Sequence, residues 1–146
     1  MTEVAFHFNV PHFATYACRL LRKAHQASAR VTVTAPQTEL SQLDQLMWTF
    51  AAHEFLPHCL WDAPDHVLQR TPIVLVPHHE LASTPHHEVM LHWGHDAPPE
   101  GFETFARLIE LVSLDETDRQ AARRRWKHYA DRGYPITRHD VGSVKK

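Results

Sequence analysis

Val4-Ala-Phe-His-Phe-Asn-Val-Pro-His-Phe-Ala-Thr-Tyr-Ala-Cys-Arg-Leu-Leu-Arg-Lys-Ala-His-Gln-Ala-Ser-Ala-Arg-Val-Thr-Val-Thr34 is the stretch that decides the fold. Its first five residues alternate apolar and polar, as a half-buried strand does, and Asn9-Val10-Pro11 supplies a turn with proline placed to open a helix. Phe13, Ala17, Leu20, Leu21 and Ala24 then recur at three- and four-residue spacing, with Arg19, Arg22 and Lys23 on other faces, so one helical stripe packs inward. Val31 and Val33, interleaved with Thr32 and Thr34, read as a second strand. Strand, helix, strand is the opening of a parallel α/β layer, and the expectation is a single three-layer α/β/α domain with a mostly parallel central sheet, Rossmann-like but without a nucleotide-binding loop.

The rest of the chain extends that reading. Leu40, Leu43, Leu46 and Met47 mark a second amphipathic helix ending near Trp48. Phe55 to Arg70, with Pro57, Pro64 and little periodicity, reads as an ordered loop across the sheet. Ile73–Val76 and Val89–Trp93 read as buried strands. Phe102, Phe105, Ala106 and Ile109 give a third helical stripe, and Leu108–Val112 either extends it or begins an edge strand. Ser113 to Glu116 has the form of a capping box, which predicts a last helix from about Leu114 to Arg132 ended by Gly133. Residues 1–133 are thus expected to form the domain and 134–146 a loosely held C-terminal tail.

The totals narrow the function. A chain of 146 residues, 43% hydrophobic, has the size of one domain with one sizeable core. It has no apolar run long enough to span a membrane and no signal-like start, so a cytoplasmic address is expected. Cys18 and Cys59 lack metal or redox spacing, and Cys18 sits where a buried reduced thiol belongs. Four glycines, at positions 94, 101, 133 and 142, cannot build a phosphate-cradling loop, and no Gly-x-Ser-x-Gly elbow occurs. Nucleotide hydrolysis and serine-hydrolase chemistry are therefore not supported, and no catalytic residue or cofactor is assigned.

Histidine is the one catalytic-looking excess. Fourteen occur, with Pro-His-His-Glu at residues 77–80 and again at 85–88, followed by His92 and His95. Imidazole beside carboxylate suits a transition metal, which makes a small metal-dependent enzyme built on residues 77–95, with His79 and His87 as ligands, the alternative reading. Adjacent residues on an extended segment point to opposite faces, however, and no His-Glu-x-x-His pattern is present. A solvated His-rich loop accounts for the same residues, and no metal site is assigned.

Charge is distributed unevenly. Arg119 to Lys146 holds nine Lys/Arg against Asp131 and Asp140, a net of +7, leaving −9 for residues 1–118 in a chain of −2 overall. Such a split favours a basic C-terminal surface on a body that repels bulk DNA. At 100° per residue Arg119, Arg123 and Lys127 form one stripe, while Ala122, Trp126, Tyr129 and Ala130 form an apolar face, with Trp126 on the border. Arginines beside an aromatic wall suit a short ligand carrying carboxylates and an aromatic end. Packing of Trp126 and Tyr129 onto the sheet, with arginines in water, is equally compatible with the pattern. Direct single-strand binding through Arg123–Arg125 is a third reading, weakened because three successive residues point in three directions.

Arg119-Gln-Ala-Ala-Arg-Arg-Arg-Trp-Lys127, with Tyr129 and Gly133-Tyr134, resembles the C-terminal helix of the chi subunit of bacterial DNA polymerase III. Val4–Phe8 is similar to that family's first strand, and Leu43-Asp-Gln-Leu-Met-Trp48 with Phe55-Leu-Pro-His58 to its central blocks. The resemblance implies a non-catalytic clamp-loader accessory subunit that links the replicase to single-stranded DNA-binding protein by holding that protein's acidic, Phe-terminated C-terminal tail. It implies that Arg119, Arg123 and Lys127 meet the carboxylates, and that Val112 and Trp126 wall a pocket for the terminal phenylalanine. It further implies a psi-subunit interface around Trp48, Phe55, Pro57 and His58.

Overall fold

The computed structural model, which describes residues 1–49, 56–94 and 97–143, resolves the alternation of Val4–Phe8 and its counterparts into one seven-stranded, all-parallel sheet. β1 (Glu3–Val10), β2 (Val31–Thr34), β3 (His58–Leu60), β4 (Ile73–Val76), β5 (Val89–Trp93), β6 (Arg107–Ser113) and β7 (Ile136–Asp140) lie in the order β3-β4-β2-β5-β6-β1-β7. Val33, Leu75 and Leu91 point to one face, where α1 (Phe13–Gln26) and α2 (Gln37–Thr49) bury Leu21, Leu40, Leu43 and Met47. Val74, Met90 and Leu108 point to the other, under α3 (Asp65–Arg70) and α4 (Glu116–Asp131). Helices on both faces explain why β4 is apolar throughout: neither side of it meets water. This is the three-layer α/β/α architecture expected from the opening strand–helix–strand. Cys18 and Cys59 are free thiols, and burial pushes the Cys18 thiol up to about 11.

Five sequence expectations are corrected. The third helical stripe is instead a single 3-10 turn, Phe102–Thr104, followed by β6. Leu108, Glu110 and Val112 face α4 while Ile109 and Leu111 face α1, a period of two that the acidic residue in its middle disguises. Nor is β6 an edge strand, since it lies between β5 and β1. The expected loop over 55–70 contains β3 and α3, elements of three and six residues that are too short to show a period. The expected cap falls two residues later, where the Asp115 carboxylate accepts from the Asp118 N–H at 3.1 Å and Asp118 in turn accepts from the Ser113 N–H at 2.8 Å. Residues 136–140 of the expected loose tail pair with β1 as β7. Only Ile136 of β7 is apolar, so the strand is held by backbone pairing rather than by an apolar stripe. Gly133, at φ +79°, makes the turn between α4 and β7: its N–H bonds to Ala130 and that of Tyr134 to Tyr129, a Schellman ending.

α4 is locked onto the sheet by a carboxylate buried at its centre. Glu110 of β6 is 0% exposed. Its Oε1 accepts from His92 Nδ1 at 2.6 Å and Arg125 Nε at 3.1 Å, and its Oε2 accepts from the Tyr129 hydroxyl at 2.5 Å. Burial alone would raise the Glu110 carboxyl, but the His92 ring, through charge and hydrogen bond, then Arg125 and Tyr129, outweigh it and hold it below the ordinary carboxylate range. A group with a depressed folded-state pKa stabilises the fold above its unfolded value, and that contribution is lost as pH falls through the carboxylate range. Glu110→Ala removes the buried carboxylate that His92, Arg125 and Tyr129 share, and a loss of about 3–5 kcal/mol in urea unfolding at neutral pH is expected; a loss under about 1 kcal/mol would show that the network does not hold the helix.

A second, partly buried contact faces α1. The Tyr16 hydroxyl donates to His7 Nδ1 at 2.6 Å, and the His139 ring of β7 lies 5.0 Å from the His7 ring. Burial first, then the charges of His139, Arg107 and Lys23, push His7 down to about 4. Between pH 4 and the unfolded value of about 6.5 the unfolded chain therefore binds a proton that the fold refuses, so stability drops as pH falls through that window. His7→Gln is expected to flatten the decline of melting temperature from pH 6.5 to 4; slopes identical to those of the unaltered protein would refute this account.

Candidate functional site

Because Arg125 and Tyr129 point down to Glu110, the helical twist turns the neighbouring face of α4 toward the β6-β1-β7 edge of the sheet. There α4 and the sheet enclose an open cavity of about 460 Å³. Phe6 and Phe8 of β1 and Val112 of β6 form its floor, and Ala122 and Trp126 of α4 its wall. The Phe6 and Trp126 rings are 4.9 Å apart. Three guanidinium groups complete it: Arg119 and Arg123 from α4, and Arg138 from β7. Arg138 lies over two of the rings, with Cζ 5.2 Å from the Phe8 centroid and 5.9 Å from that of Trp126.

The lining side chains are apolar or cationic, and none is a carboxylate, hydroxyl, thiol or imidazole. The arginines are donors only. The site can therefore attract and orient an anion beside an apolar group, whereas its lining offers no base or nucleophile. Arg123 contacts the Glu116 carboxylate at 3.4 Å, with both side chains largely exposed, an ion pair weak enough to be exchanged for a ligand's carboxylate.

Of the residues singled out in the sequence, Arg119, Arg123, Trp126 and Val112 meet in this cavity. Lys127 does not line it and pairs with Asp131 at 3.2 Å on the exposed side of α4. Ala130, expected on the apolar face, is exposed, and Arg125, expected in a surface arginine run, is buried on Glu110. The run Arg123–Arg125 thus forms no phosphate track. Phe6, Phe8 and Arg138 were not foreseen as site residues. The period of β1 puts Phe6 and Phe8 on one face, but only the position of α4 says which face matters. For Arg138 no sequence signal exists.

The second predicted surface lies at the end of α2. Trp48 is 60% exposed, so it is not a core residue. Its ring rests 4.9 Å from that of His58, which is buried and bonded to Leu56 O at 2.8 Å and to Asp44 Oδ1 at 3.0 Å. His58 thus supports Trp48 from beneath, Pro57 is half-buried, and Phe55 lies outside the described residues.

The histidines of residues 77–95 hydrogen-bond to separate partners, although the His78 and His92 rings meet edge to face at 5.3 Å. His86 accepts from Arg30 at Nδ1 (3.3 Å) and donates from Nε2 to Thr71 O (2.6 Å). His87 meets Thr104, His78 meets Thr34, and His92 meets Glu110, while His79 lies 3.7 Å from Glu80. Among the described residues no three His, Cys, Asp or Glu side chains converge as a metal's ligands would; His95 lies outside them. Nor is any described helix long and apolar enough to cross a membrane.

Comparison with known proteins places these features in a family. Residues 1–137 match the family model described as DNA polymerase III chi subunit, HolC. The chain is 32% identical over 132 residues to the DNA polymerase III subunit chi of Pseudomonas aeruginosa, an alignment covering 88% of this chain and 86% of that protein. The matched region takes in the whole of α4 and both strands that floor the cavity. By the extent of both matches, the chain belongs to the chi-subunit family of DNA polymerase III.

Proposed function

We propose that this chain is a non-catalytic accessory subunit of the clamp loader, which links the replicase to single-stranded DNA-binding protein by holding that protein's acidic, Phe-terminated C-terminal tail. The observation that carries this reading is the cavity of Phe6, Phe8, Val112 and Trp126 bordered by arginines. A floor of aromatic rings accepts a phenylalanine side chain by burial and offset stacking. Arg119 and Arg123 offer planar, always-charged forks to the acidic residues that precede it, and Arg123 exchanges Glu116 for a ligand carboxylate. Lys127, on the outward side, contributes field rather than contact. The concentration of positive charge after residue 118 speeds capture of an acidic tail, while the negative remainder disfavours bulk nucleic acid. The setting is the cytoplasm, where a bacterial replicase works.

Calorimetric titration with a short acidic peptide ending in free phenylalanine tests the reading. Micromolar binding that weakens with salt is expected, lost when the terminal phenylalanine is removed. Arg123→Glu is expected to weaken it about 10- to 100-fold, as loss of a charged contact does. Undiminished affinity in that variant would overturn the proposed contact.

A second partner, the psi subunit, is proposed for the end of α2, where an exposed indole braced by a buried histidine is the kind of group that anchors an interface. Trp48→Ala is expected to change stability by less than about 0.5 kcal/mol and to leave peptide binding intact, yet to abolish co-purification with a psi subunit. Full retention of psi by that variant would remove Trp48 from the interface.

A further inference from the structure

We infer that Arg138 is a ligand-binding residue of the same cavity, which takes the free terminal carboxylate of the bound chain from the sheet side while Arg119 and Arg123 take acidic side chains upstream of it. The inference rests on the tail-binding reading and assigns a role to a residue outside α4. Three observations carry it. In the parallel β1–β7 pairing Arg138 stands opposite Phe6, so the two side chains share the α4 face of the sheet. Its guanidinium carbon lies 5.2 Å from the Phe8 ring centre and 5.9 Å from that of Trp126, and among the described residues it makes no side-chain hydrogen bond, so its N–H groups remain for a planar, bidentate acceptor. And whereas Arg123 has Glu116 and the buried Arg125 has Glu110, Arg138 has no carboxylate within ion-pair distance among the described residues. A cation held against the rings that line the cavity, without an acid of its own, is complementary to an anion that arrives with an aromatic side chain.

Distance along the ligand selects which anion. In a C-terminal phenylalanine the α-carboxylate is a few bonds from the ring, so it must lie beside whatever floor accepts that ring. The preceding acidic side chains lie further out, toward the rim where Arg123 is exposed. Arginines approaching from α4 and from β7 thus read two features at once: negative charge along the segment, and the fact that the chain ends there. An internal acidic–aromatic sequence has the first feature only.

A two-by-two titration separates these statements. The unaltered protein and Arg138→Gln are titrated with an acidic peptide ending in free Phe and with the same peptide ending in an amide, after melting curves have shown both proteins equally folded. Arg138→Gln is expected to weaken the free-acid peptide about tenfold and leave the amide peptide unchanged, and Arg138→Lys to recover part of the loss. Equal loss for both peptides, or no loss for either, would overturn the role of Arg138 while leaving the tail reading standing. Absence of binding by the unaltered protein would overturn the tail reading itself.

Discussion

A carboxylate in the middle of a parallel sheet is costly unless its oxygens are filled, and Glu110 fills them with donors from β5 and α4 at once: His92, Arg125 and Tyr129. Apolar packing alone would let a helix roll or slide on a sheet by small amounts at small cost. Directed bonds to two fixed oxygens do not. Arg125 and Tyr129 are one turn apart, so both reach Glu110 only at one rotation of α4. That rotation sets Trp126 against Phe6 and brings Arg119 and Arg123 to the cavity's edge. The position of the surface site follows from the buried one.

This dependence also explains which parts were legible in the sequence. β1, β2 and the helices α1, α2 and α4 announce themselves by apolar stripes with a readable period, and β4 and β5 by short, nearly continuous apolar runs. β6 does not, because the residue its central position buries is Glu110, and a buried charge reads as exposed until its partners are known. Arg125 misleads for the matching reason: in sequence it is the third of three arginines, and only the sheet beneath it separates it from Arg123. β3, α3 and β7 carry too few apolar residues to form a pattern. In the site, Arg119, Arg123 and Trp126 followed from helix geometry together with family resemblance, and Val112 from the resemblance alone. Phe6, Phe8 and Arg138 come from strands that become neighbours of α4 only through the crossover topology.

The abundance of histidine has a similar resolution. A run of imidazoles suggests a metal or a titrating switch, but several of the described ones serve instead as local hydrogen-bonding groups on half-buried or buried loops and strands. His86 accepts on one ring nitrogen and donates on the other, and His7 accepts from Tyr16. A neutral imidazole suits this use because it offers both functions on one rigid ring. Convergence on a common point would be the mark of a metal site, and the directions of these rings are set instead by separate partners.

The cavity is assembled from unequal supports. One side is α4, fixed by a buried ionic network; the other is β7, a strand of five residues with mostly exposed side chains, held by its pairing to β1 and, at its end, by Asn9 donating to Asp140 at 2.8 Å. Local opening follows the fewest buried contacts, and of the three strands that border the cavity β7 buries the fewest side chains. On the proposed binding mode, a ligand held by both supports stabilises their paired arrangement by its own binding free energy. On that reading Trp126 and the aromatic floor supply shape, while Arg138 of β7 supplies a charged contact to the end of the chain.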